Sequence, residues 1–180
     1  MTDAITGLRT HRDGLRGAIL SHALVCCLVD IDGLIWVNDQ HGHIEGDRVL
    51  ANVAQHLTHS ADEHGASVFR VGGDEFLLLF PDSADHSVVC DIAAAIVSGV
   101  RALGIPYRRL DRPGRTTLEI NAAVLPASGA FADRAFSEFG ITSVVRDWVA
   151  KSVFQEKTRL GREAGLVVDL FHAPDCPWAS

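Results

Sequence analysis

Residues 68–80 constrain this chain most. Val68 to Val71 form a mostly apolar run, Gly72-Gly73-Asp74-Glu75 interrupts it, and a second apolar run, Phe76 to Phe80, starts at once. That is the pattern of a β-hairpin. Gly-Gly is expected to supply the backbone angles of a two-residue hairpin turn. Glycine also lets a phosphate or a metal approach the main chain closely. Two adjacent carboxylates on such a turn repel each other unless positive charge sits between them. The turn therefore reads either as a solvated acidic turn or as one wall of a divalent-cation site.

Around this hairpin, helical and extended patterns alternate. Leu15, Ile19 and Leu20 have helical spacing that ends near His22, and Leu24 to Val29 is a continuous apolar run expected to be a buried strand. In that strand Cys26 and Cys27 point to opposite faces. Asp30-Ile31-Asp32 ends it, and the period of two puts both aspartates on one side. They read as metal ligands or as turn and N-cap aspartates. A short helix starts at Gly33 and ends near Asn38-Asp39. Residues 40–47 read as a polar loop in which Asp47 caps the next helix, ending near His64-Gly65. A helix over Val88–Leu103 follows. Ile105–Leu110 and Thr116–Val124 read as a second strand pair, Ser143–Leu160 as a helix with Val144, Trp148, Val149, Val153 and Phe154 on its apolar side, and Leu166–Leu170 as a last strand. One domain, 1–171, is expected, with a loose tail at 172–180.

Composition narrows the partners. The 180 residues are 47% apolar and carry a formal charge of −7 without a long basic run, which argues against nucleic acid as the main partner. An acidic protein that handles phosphates needs metal ions to do so. No stretch reads as a membrane span or signal peptide. The four cysteines form no C-x-x-C pair, which suits reduced thiols and a cytoplasmic location. The arginines at 101, 108, 109, 112 and 115 read as a solvated loop cluster first and as contacts to nucleotide or a partner second. The histidine pairs at 41/43 and 56/59 lack a third ligand at zinc spacing.

Several motifs coincide in order. Asp3-Ala4-Ile5-Thr6-Gly7-Leu8 is similar to D-x-L-T-G-L. Asp30-Ile31-Asp32, Val37-Asn38-Asp39, Gly42-His43 and Gly46-Asp47 follow D-I-D…I-N-D…G-H…G-D. Arg70–Phe76 holds the G-G-D-E-F signature, and Ser152–Lys157 followed by Gly161-Arg162 resembles A-L-Y-x-A-K…G-R. With these the chain resembles the GGDEF family, the diguanylate cyclases that make cyclic di-GMP from two GTP. The resemblance implies an α/β (α+β), palm-like fold, a central, mostly antiparallel sheet flanked by helices as in nucleotide cyclases. It also implies roles. Asp30, Asp74 and the Ile31 carbonyl hold Mg²⁺ (or Mn²⁺). Glu75 is the catalytic glutamate, a base or a metal-organising group, beside Asp74 and Asp30. Asn38 and Asp47 read the guanine edge, Leu34 is placed among the substrate-binding positions, and Lys157 and Arg162 meet the phosphates.

The chain also departs from the family pattern. Ile35 stands where a phosphate-contacting lysine is usual, Val149-Ala150 replaces Ala-Asp, and Glu119-Ile120-Asn121 replaces the S-I-G strand. The inhibitory R-x-x-D would fall at Glu63–Ala66, which does not match, so no such product feedback is expected. The domain starts within the first residues, which suggests a stand-alone domain without a sensor module. A cyclic dinucleotide needs two GTP-loaded domains face to face, so a homodimer is either intrinsic, weak or unnecessary. Other reactions considered for such a scaffold are ring opening of GTP, a different cyclic product, and GTP binding without turnover.

Overall fold

The computed structural model describes residues 2–10, 15, 23–81, 84–108, 114–126, 136–137, 140–141, 143–161 and 164–170. The strand that starts the D-I-D motif, β2 (Ala23–Asp32), lies in the middle of the sheet; β1 (Arg9–Thr10) lies at one edge. After β2 come α1 (Leu34–His41), α2 (His43–Asp62), β3 (Ser67–Arg70), β4 (Glu75–Pro81) and α3 (His86–Ala102). β5 (Glu119–Pro126), β6 (Phe136–Ser137), β7 (Gly140–Ile141), α4 (Ser143–Leu160) and β8 (Val167–Asp169) complete the order. The main sheet runs β1-β3-β4-β2-β5-β8, and among the described residues β6 pairs only with β7. The pairings β3/β4, β4/β2 and β2/β5 are antiparallel, whereas β1/β3 and β5/β8 are parallel.

Helices cover both faces. Alternation along β2 sends Val25, Cys27, Val29 and Ile31 to a core shared with α1, α2 and α3. It sends Cys26 and Leu28 to a second core with Leu77, Leu79, Ala123 and the α4 residues Val145, Trp148 and Val149. The expected opposite facing of the two cysteines holds. A sheet buried on both faces explains why β2 and β4 read as continuous apolar runs.

Several expectations needed correction. Residues 40–47 are not a loop: α1 continues to His41, and a single residue, Gly42 (φ 84°), separates it from α2. Asp47 therefore lies inside α2 instead of capping it. β5 pairs with β2 and β8, and the expected partner strand over 105–110 contributes only one bridge, Pro106 to Thr117, among the described residues. On α4 the buried positions are Val145, Trp148, Val149 and Ser152, while Val144 and Phe154 (68% exposed) face outward. The helix expected over 15–22 falls, except for Leu15, outside the described residues, as do Arg162 and the tail.

Candidate active site

The G-G-D-E turn is wider than a two-residue hairpin. Arg70 pairs with Phe76, the amides of Val71 and Gly72 donate to the Glu75 carbonyl at 3.0 and 3.3 Å, and Gly72, Gly73 and Asp74 span the bend. Neither glycine has a positive φ. Gly72 is needed for a different reason: a Cβ there would lie 2.2 Å from Glu75 Oε2. Arg70 braces the turn, donating to the carbonyls of Gly72 (3.3 Å) and Gly73 (2.5 Å). The opening motif holds that arginine: Asp3 Oδ1 accepts from Arg70 Nη1 at 2.8 Å and from the Thr6 amide and hydroxyl at 2.8 and 2.7 Å. Burial alone would raise the Asp3 carboxyl, but the Thr6 bonds and the Arg70 charge outweigh it and hold it below its ordinary value.

Register then assembles the acids. Asp30 lies opposite Glu75 on β4 and opposite Asn121 on β5, so Glu75, Asp30 and Asn121 form one row across three strands on the α4 side of the sheet. The Ile31 amide donates to the Asp74 carbonyl at 3.1 Å, tying the turn to the end of β2. Asp30, Ile31, Asp32 and Asp74 line a cleft of about 510 Å³ together with Gly33, Leu34, Trp36 and Tyr107. On the other side of Asp30, a cavity of about 140 Å³ lies beneath α4, lined by Asp30, Glu75, Asn121, Arg146 and Ala150 among others. Asn121, buried at the row's end, accepts from the Leu166 amide at 3.4 Å and so links β5 to the start of β8.

Charge is unevenly balanced here. Asp30 is pushed up to about 6 by burial first and then by the Asp74 and Asp32 carboxylates, with Lys157 opposing. Asp32 is compensated: Arg115 pairs with its carboxylate and donates Nη2 to its carbonyl at 2.6 Å, and Lys157 Nζ lies 3.3 Å from Oδ1. Asp30 and Asp74 have no hydrogen bond or ion pair to their carboxylates among the described residues. No three His, Cys, Asp or Glu side chains converge as a metal-holding group among those residues. Two hard oxygen anions with an adjacent carbonyl do fit a Mg²⁺-like ion that keeps water and takes phosphate oxygens as its remaining ligands.

The other expected site residues are spread around this centre. Leu34 is buried at the cleft wall and Ile31 in the core. Asn38 and Asp47 do not line the cleft; Asn38 packs on Gly46, where a Cβ would fall 1.9 Å from Asn38 Oδ1, and Asp47 is the exposed next residue. Ile35, at the expected lysine position, is 73% exposed. Arg162 lies outside the described residues.

Two arginines were missed. Arg115 is not solvated: it is 9% exposed, lies over the Tyr107 ring at 4.1 Å and fixes Asp32. Arg146 of α4 pairs with Glu75 and donates to the Val71 carbonyl at 3.1 Å. The spacing of Arg146 and Lys157 was the available signal, since eleven residues are about three helical turns and return to the same face.

The family profile described as "Diguanylate cyclase, GGDEF domain" matches residues 3–139. The chain belongs to the GGDEF family. Among curated relatives, the cyclic di-GMP phosphodiesterase PdeR of Escherichia coli is 30% identical over 136 residues, 72% of this chain and 20% of that protein. Diguanylate cyclase DgcP of the same organism is 31% identical over 113 residues, 57% of this chain and 33% of that protein. The chain thus spans a fifth to a third of the length of these relatives. The GGDEF domain of DgcB from Caulobacter crescentus, solved in complex with c-di-GMP, aligns with a TM-score of 0.65 over 93% of this chain and 92% of that one, at 21% identity. That likeness concerns the fold: the mixed α/β sheet with helices on both faces is the GGDEF fold. No helix among the described residues is long and apolar enough to cross a membrane.

Proposed function

We propose that this GGDEF domain is a Mg²⁺- or Mn²⁺-dependent nucleotidyltransferase that joins two GTP into cyclic di-GMP and releases pyrophosphate. The observation that carries this reading is the pair Asp30 and Asp74, two carboxylates without a hydrogen bond or ion pair among the described residues, held at one end of a cleft large enough for a nucleotide. Asp30, Asp74 and the Ile31 carbonyl would hold the metal, which when bound neutralises phosphate charge and eases ionisation of the attacking hydroxyl. Lys157 adds positive charge at the Asp32 side of the cleft. Glu75 stands beside Asp30 in the row, placed to orient charge near the reacting groups. The Asn38 amide and the Asp47 carboxylate, which lie outside this cleft, would supply the donors and acceptors that a guanine edge requires for a base extending beyond it.

Incubation of the protein with GTP and Mg²⁺, followed by mass spectrometry and an ultraviolet spectrum of the product, tests the reading. Cyclic di-GMP that keeps guanine absorbance and disappears with a chelator is the expected result. A ring-opened base, or recovery of intact GTP at high protein concentration, would overturn it.

The guanine contact has its own test. Gly46→Ala forces the Asn38 side chain out of its place, because the new methyl occupies the position of Oδ1. Losing a hydrogen-bonded contact of this kind costs about 1–2 kcal/mol, so GTP affinity falls about tenfold. Alanine is the better helix former at this position, so the fold is not weakened by propensity. Calorimetric titration with GTP at saturating Mg²⁺ checks it, and unchanged affinity would remove Asn38 from the binding site.

A further inference from the structure

Arg146 touches the signature turn from a helix remote in sequence. Residues 146, 150, 153 and 157 follow the three- and four-residue steps of one helix face. Arg146 meets Glu75 at one end of that face and Lys157 meets Asp32 at the other. Among its contacts to described residues, Nη1 pairs with Glu75 Oε2, and Nη2 donates to the Val71 carbonyl at 3.1 Å. The same Oε2 rests over Gly72, where no side chain opposes it. Glu75 is thereby fixed between a planar cation and its own turn.

Packing does not impose this direction. Glu75 and Asp30 are cross-strand neighbours, and two carboxylates side by side push apart. The cavity of about 140 Å³ beneath α4, beside the small Ala150, leaves room for Glu75 to turn away. Arg146 supplies the opposing charge, and its fork has an orientation that a point charge lacks.

We propose that Arg146 is a positioning residue: it sets the direction in which Glu75 presents its carboxylate beside Asp30, and so governs the rate of the chemical step rather than the affinity for nucleotide. The inference rests on the reading of the cleft as a nucleotidyl-transfer site.

Arg146→Met keeps the length of the side chain and removes the charge. Its kcat falls about tenfold or more, the magnitude usual for losing a residue that orients a site group. KM for GTP, the calorimetric Kd for GTP and the melting temperature stay close to those of the unaltered protein. Arg146→Lys regains part of the rate, since it returns the charge without the fork. Combined with Glu75→Gln, Arg146→Met adds little to the loss caused by Glu75→Gln alone, because the two side chains act as one unit. Unchanged kcat in Arg146→Met, or losses that multiply in the double variant, would overturn the positioning role. A fall in melting temperature with undiminished kcat per folded molecule would also overturn it and make Arg146 a staple for α4. The unaltered protein is assayed alongside: if it forms no product from GTP, the functional reading fails and the inference with it, whereas product from the unaltered protein with no effect at Arg146 sinks the inference alone.

Discussion

Asp74→Asn and Asp30→Asn each lower product formation from GTP by roughly a hundredfold or more, beyond what loss of an outer-shell partner costs. The expectation follows from charge. Asp30 is half-buried beside Asp74 and Asp32, and that desolvation first, then the two neighbouring charges, raises it to about 6. Among the described residues Arg115 and Lys157 pair with Asp32, and Lys157 only partly offsets the charge at Asp30, which leaves Asp30 and Asp74 as the anions that a bound cation would neutralise. The amide variants keep the shape and lose one charge of the pair. Their stability moves the other way: with the mutual repulsion gone, the metal-free protein at neutral pH melts at a higher temperature than the unaltered chain. Product assays, Mg²⁺ titration calorimetry and a thermal melt in chelator together check this. Full activity in either variant would remove that carboxylate from the metal site. A lower melting temperature in chelator would show that the carboxylates are satisfied within the protein.

Gly33→Ala is expected to destabilise the fold by about 3 kcal/mol, combining roughly 1–2 kcal/mol for a left-handed backbone with roughly 1–3 kcal/mol for overpacking. Gly33 has φ 105°, a conformation that side chains disfavour. A methyl there would lie 2.3 Å from Tyr107 Cε2 and 2.8 Å from its Cζ and hydroxyl. The ring cannot easily give way. It is 1% exposed, with Trp36 packed at 4.8 Å and the Arg115 guanidinium over it at 4.1 Å. For a domain of this size, that cost lowers the melting temperature by about 10 °C. The strain also falls on the turn that joins the Asp30–Asp32 end of β2 to α1, so GTP binding is expected to weaken with stability. A melting temperature within about 3 °C of the unaltered protein would show that Tyr107 has room to move.

Much of this architecture was legible in the chain. The apolar run that ends at Asp30-Ile31-Asp32 defined the central strand, and the period of two placed both aspartates on one side. The same arithmetic put Cys26 and Cys27 in different cores. Glycines were less readable, because loop punctuation failed at Gly46 and the expected turn angles failed at Gly72. Gly46 lies within α2 to make room for Asn38, and Gly72 makes room for Glu75 without adopting a positive φ. Gly42 separates two helices by a single residue, a junction that polar composition resembles no more than it resembles a loop. On α4, Val144 and Phe154 are apolar yet exposed, and Ser152 is polar yet buried, so the stripe read from hydrophobicity was rotated from the real one. The arginines were hardest. Arg115 finds Asp32 and Arg146 finds Glu75 across 83 and 71 positions of sequence, and the one local signal, the helical spacing of Arg146 from Lys157, gives a face but not a partner.

The three-strand row of Glu75, Asp30 and Asn121 has a consequence for how such a site can diverge. Its spacing is maintained by main-chain ladders that are indifferent to side-chain identity, so each position can be exchanged while the other two keep their places. The helix above is a separate element, and among the described residues Arg146 ties it to Glu75 alone of the three, so only those two positions change in concert. Geometry and chemistry are thus inherited on separate parts of the molecule. A descendant can change what the site does by single substitutions, without first having to rebuild the frame that holds it.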